Sequence, residues 1–250
     1  MYSDSFIVGD YQALLAELSD ERAKKYLKFG FNMRALQIME TRFQISEAIE
    51  KAGGKNLGPY QICQTNIFLN SFYLNMLGAI DNLAWVIQHE FSVIEGASEG
   101  NKKRNDISLF GKKYLQSLRV IDESAANHIS EHKDWFAELK EFRDPAAHRM
   151  PLYCPPGVVN SEQIDEYNDA KTKLASKNYL EDSRSYMDAQ HELAMVGKFQ
   201  PIFTSFSEEE DKIYPLLRTI ENDYFPFWSL GSYVLSFFRE NLTSTVKGRS

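Results

Sequence analysis

Apolar positions recur at helical spacing along most of the chain. Tyr11, Leu14, Leu15 and Leu18 fall at i, i+3, i+4 and i+7, and the pattern resumes after Ser19-Asp20 to reach Leu27, which predicts a helix over 10–28. Phe29-Gly30-Phe31 reads as a kink or turn. A second helix follows over 32–52, with Leu36, Met39 and Phe43 on one side and Ile38, Ile45 and Ile49 on another, so it faces more than one neighbour; Gly53-Gly54 ends it. The longest helix is expected over 59–94, its stripe running through Ile67, Phe72, Met76, Ile80, Leu83, Ala84, Ile87 and Phe91. Few charges interrupt it before its C-terminal part, which marks it as the central buried helix.

Beyond it the pattern shortens. Residues 96–105 form a polar loop, 107–118 a short helix, and another helix starts at Glu123 or Ser124. Ser130–Phe142 follows, with Trp135, Phe136, Leu139 and Phe142 apolar. Cys154-Pro-Pro-Gly157 is a loop. Residues 161–176 read as a polar surface helix, and 177–198 as charged and poorly periodic. Phe199–Phe206 has the aromatic and β-branched content of a short strand. A last helix is expected over 208–242, bent at Pro215 and near Phe225-Pro226, with a disordered tail after it. The fold class is therefore all-α: one domain over 1–250, an up-and-down bundle of the helices near 32–52, 59–94, 130–142 and 208–242. Residues 151–208 are read as an excursion from that bundle.

Composition adds compartment and partners. The hydrophobic share of 43% and aromatic share of 13% supply a core. A net charge of −7 leaves no global footprint for nucleic acid, so any RNA contact has to be local. Cys63 and Cys154 have no metal-ligand spacing and form no disulfide framework. The N-terminus lacks a basic region followed by an apolar stretch, and the tract 225–238 is too short to span a bilayer, so the expectation is a cytoplasmic protein with no membrane contact. No phosphate-binding loop or H-E-x-x-H occurs. His128 and His132 lie at i, i+4 amid charged residues and read as an exposed polar face. No metal or cofactor is expected.

One stretch carries candidate chemistry: Phe142-Arg143-Asp144-Pro145-Ala146-Ala147-His148-Arg149, closing the helix that begins near 130. RNA cleaves when its 2′-oxygen attacks the adjacent phosphate, which calls for a proton acceptor and a fixed positive charge. His148 can move the proton, and the planar fork of Arg143 can hold the phosphate oxygens. Five residues on a regular helix set the two side chains roughly 140° apart. Pro145 predicts a break, with Asp144 as cap, that would bring them to one side. Asp81 is the lone carboxylate at the edge of the apolar stripe of the long helix and requires a partner there. Lys102-Lys103-Arg104, with Lys112 and Lys113 beyond, make the concentrated basic patch, a phosphate-backbone contact on the sharper reading and a solvated loop on the plainer one. The plain alternatives elsewhere are Arg143 paired with Glu138 or Glu141, His148 as a helix-end cap, and Asp81 in a rim salt bridge.

The Arg143-x4-His148 spacing at the end of a core helix resembles the signature of the HEPN superfamily, and Leu77–Trp85 resembles the HEPN helix whose polar residue faces that pair. The likeness covers residues 60–150 and the final helix. It implies a HEPN-type helical bundle and an RNA-directed protein, in catalytic form a metal-independent endoribonuclease of single-stranded RNA. The site would use Arg143, His148 and Asp81, with Lys102, Lys103, Arg104 and Arg149 on the substrate. It also implies a homodimer with the two motifs meeting across a two-fold axis, and a protein antitoxin or other partner. The alternative is a non-catalytic HEPN-like interaction or structural module in a defence or toxin–antitoxin setting. Met150 stands two positions after His148, where members paired with nucleotidyltransferase antitoxins carry a modifiable tyrosine, and this argues against that class of partner.

Overall fold

The computed structural model describes residues 5–148, 150–207 and 210–247, and their side chains apart from those of 5–10, 145, 148 and 243–247. The protein is mostly helical. Its helices are α1 (Ser5–Glu17), α2 (Glu21–Lys25), α3 (Met33–Ala52), α4 (Pro59–Phe91), α5 (Lys112–Ile121), α6 (Glu123–Glu131), α7 (Lys133–His148), α8 (Ile164–Ala175), α9 (Ser183–Met195) and α10 (Leu216–Lys247). Two strands, β1 (Ile202–Ser205) and β2 (Lys212–Pro215), pair antiparallel, Ile202 opposite Pro215 and Ser205 opposite Lys212. No described helix is long and apolar enough to cross a membrane. The chain divides into two compact units, one of Met1–Met39, Tyr73–Arg143 and Glu221–Ser250, the other of Glu40–Phe72 and Asp144–Ile220.

In the first unit the expected 10–28 helix is split. Asp20 caps α2 by accepting from the amides of Arg22 and Ala23, while the Glu90 carboxylate accepts from the amides of Ser19 and Asp20. One carboxylate thus caps the first amides of the short helix and a second holds the two amides that lead into it. Phe29-Gly30-Phe31 does not end the helix: Tyr26–Asn32 winds as a π-helix directly into α3. Its Gly30 lies against Asn82: a Cβ at position 30 would fall 2.5 Å from Asn82 Oδ1. Asn82 thus faces this turn, its Nδ2 donating to the Gly78 carbonyl. Leu27, Phe31, Tyr73, Leu83, Phe227 and Phe238 fill the core. Buried Gln88 ends α4 by donating to the Ile94 carbonyl (3.0 Å) and accepting from the Ile94 amide (2.8 Å). His128, expected on an exposed face, is half-buried with its ring stacked on Tyr233 at 3.7 Å between centroids. Of the two stripes foreseen on α3, Ile38 is buried here while Leu36 stays exposed.

In the second unit Ile45 is buried and Phe43 exposed, and Ile67, expected in the buried stripe of α4, is exposed too. The segment after Pro151 is anchored to α4 by an amide ladder. Asn70 gives its Nδ2 to the Leu152 carbonyl and takes the Leu152 amide, both at 2.9 Å. Asn66 does the same for Cys154, at 3.1 and 2.7 Å. Tyr153, pointing its backbone the other way, pairs with Thr204 of β1. Leu152, Cys154 and Phe203 are thereby sealed from water. Helix α9 forms within 177–198, where periodicity is weak. Lys212–Pro215 is a strand where helix was expected, because Tyr214 stacks on Phe203 across the hairpin (5.3 Å). Helix α10 accordingly starts at Leu216 and runs through Pro226 to Lys247, past the expected end at 242.

Candidate functional site

Helix α7 carries the motif, and three contacts set its rotation within the first unit. Trp135 Nε1 donates to Asp223 Oδ1 on α10 (3.1 Å), and Tyr73 Oη on α4 donates to Asp223 Oδ2 (3.0 Å). The Tyr73 ring packs on Phe142, centroids 4.9 Å apart. Asp223 is 5% exposed and meets no cation among the charges that shift it. Burial pushes its carboxyl up to about 6; the hydrogen bonds from Tyr73 and Trp135 pull against this, and the charge of Glu138 adds to it.

With α7 so fixed, Arg143 comes into the field of Asp81. The Asp81 residue is exposed, yet the protein around its carboxyl strips away enough water to push its pKa up. Opposing that rise are Arg143 first, then Arg34, then Lys140. The open surface keeps the energetic weight of these pairs small. Arg34 approaches from α3, its Nη1 donating to Asn75 Oδ1 (3.1 Å), with its guanidinium laid over Gly78. A Cβ at position 78 would fall 2.5 Å from Arg34 Cζ. Three cations on α3 and α7 therefore act on one carboxylate on α4.

No family model, curated protein or solved structure matches the chain.

The other residues singled out by sequence fall into three groups. The side chain of His148 and the whole of Arg149 lie outside the described residues. The break foreseen at Asp144-Pro145 is absent, since α7 continues to His148 although Pro145 has no N–H to contribute. Lys102, Lys103 and Arg104 lie in an exposed 3-10 turn and are not among the charges acting on Asp81. Lys103 Nζ donates to the Glu95 carbonyl, and Lys113 pairs with Asp106. Among the described residues no His, Cys, Asp or Glu group could hold a metal.

Sequence reasoning missed Arg34, Lys140, Asn75 and Asp223. A signal was present: Asn75 and Gly78 interrupt the apolar stripe of α4 within two turns before Asp81. A polar residue and a residue without a side chain, placed there, mark where another polar group crosses the helix.

Proposed function

We propose that the chain is an RNA-directed protein of HEPN kind, acting in its catalytic form as a metal-independent endoribonuclease. The observation that carries the reading is that Arg143 of the motif, with Arg34 and Lys140, acts on the carboxyl of Asp81. In this reading Arg143 holds the scissile phosphate, Asp81 orients its guanidinium, and His148 takes the proton from the 2′-hydroxyl. The 2′-oxygen bonds to phosphorus, the bond from phosphorus to the 5′-oxygen breaks, and that oxygen receives a proton. A 2′,3′-cyclic phosphate and a 5′-hydroxyl result. Lys102, Lys103, Arg104 and Arg149 extend the grip on the strand. A homodimer pairing two motifs about a two-fold axis would double the positive charge through one self-complementary patch.

The test is incubation of the purified protein with unstructured RNA in excess EDTA. Cleavage with cyclic-phosphate ends, lost in His148→Ala while the dimer persists, is the expected result. A wild-type protein that neither binds nor cleaves RNA would overturn the reading. The second reading, a non-catalytic HEPN-like interaction module with a protein partner, is favoured by the uninterrupted α7, which on regular geometry leaves positions 143 and 148 roughly 140° apart. Dimerisation or RNA binding without cleavage would point to it.

A further inference from the structure

We propose that Arg34 is a second phosphate-binding residue beside Arg143, held ready for an oxyanion by Asn75 and by the missing side chain at Gly78. The proposal rests on the RNA-directed reading only for the identity of the molecule carrying the phosphate.

A half-buried arginine ordinarily spends its fork on a carboxylate, because two parallel charge-assisted hydrogen bonds match that geometry. Arg34 does not. Its Nη1 donates to the neutral amide oxygen of Asn75 at 3.1 Å, and among the described residues its other donors have no hydrogen-bond partner. The carboxylate in its field, Asp81, is shared with Arg143 and Lys140. The guanidinium position is also sterically prepared. A Cβ on residue 78 would sit 2.5 Å from Cζ, 2.6 Å from Nη1 and 2.7 Å from Nε, so the plane rests on the backbone of α4 and any side chain there would lift it. An arginine held from below, tethered at one end and lacking an anion of its own fits a planar or tetrahedral oxyanion. With Arg143 in the same field, the group recognised is a phosphate, either within an RNA backbone or free.

Full-length protein is titrated with an uncleavable 2′-O-methyl oligouridylate by fluorescence anisotropy across a salt series, and with inorganic pyrophosphate by calorimetry. Arg34→Gln should weaken oligonucleotide binding about tenfold or more and lower the salt slope by roughly one. Gly78→Ala removes no charge but displaces the guanidinium. It should weaken both ligands several-fold without lowering the thermal midpoint, because alanine is the better helix former. Pyrophosphate binding that depends on Arg34, with no binding of the oligonucleotide, would keep the site and discard RNA as its ligand. Binding unchanged in both variants overturns the proposal even where the wild type binds and cleaves RNA. Failure of the wild type to bind either probe overturns it too.

Discussion

Replacing Asp223 with asparagine should make the protein more stable at neutral pH and erase part of its pH dependence. The carboxyl is buried, and burial outweighs the Tyr73 and Trp135 hydrogen bonds enough to lift it from 3.8 to about 6. Because the native state holds this proton more tightly than the unfolded chain, it binds more protons between about pH 4 and pH 6. Stability from this group is therefore full below pH 4 and falls as pH rises through 6. A lift of that size corresponds to about 3 kcal/mol at pH 7. Asparagine imitates the protonated acid: Oδ1 still accepts from Trp135 Nε1, and Nδ2 donates to the Tyr73 oxygen. Some hydrogen-bond strength is lost with the charge, about 1 kcal/mol. Urea unfolding of both proteins at pH 4 and pH 7 isolates the effect from every other carboxylate, since only the difference between them matters. That difference should shift toward the variant by about 2 kcal/mol or slightly more between the two pH values, because at pH 4 the unfolded group is already partly ionised. The midpoint temperature should follow at about 2–4 °C per kcal/mol for a chain of this size. A difference that stays constant with pH would refute the argument.

Gln88→Leu should cost about 2–3 kcal/mol by urea unfolding, because it strands both the amide and the carbonyl of buried Ile94. Asn70→Ala should cost about 1–3 kcal/mol and speed proteolysis between Pro151 and Pro155, since two hydrogen bonds to Leu152 disappear together. The two free cysteines should separate in alkylation: exposed Cys63 reacts at once. Cys154, sealed from water and with burial pushing its thiol up to about 12, reacts only when the protein opens. Equal labelling rates in the native state would contradict that burial.

Helical periodicity revealed the long helix α4, although Ile67 of its stripe is exposed, and aromatic and β-branched content revealed the strand near Phe203. The π-turn was not legible. It differs from an α-helix by one residue per turn, and Gly30 reads as a breaker until Asn82 is seen to occupy the space its side chain would take. Strand β2 is four residues long and abuts a helix, so helical periodicity from Leu216 onward masks it. Asp81 stood out as the lone charge on an apolar edge. Asp223 did not, because Glu221-Asn222-Asp223 reads as solvent-facing until the rotation of α10 against Trp135 is known. Arg34 was hidden for the same reason: which face of a polar stretch meets α4 depends on packing and not on local pattern. The spacing of Asn66, Asn70 and Asn75 along α4 was the unused clue.

The amide ladder from α4 makes the backbone after Pro151 a reporter on a distant stretch of sequence. Asn66 and Asn70 point the same way only while α4 is helical, since four residues make about one turn. The amide protons of Leu152 and Cys154 are shielded by those side chains and not by a neighbouring strand or helix. In a hydrogen–deuterium exchange experiment they should therefore exchange at the rate at which α4 frays, not at the rate of their own loop. During refolding they should gain protection only after α4 has formed, although more than 80 positions separate the partners. The segment inherits the timetable of the helix that reads it.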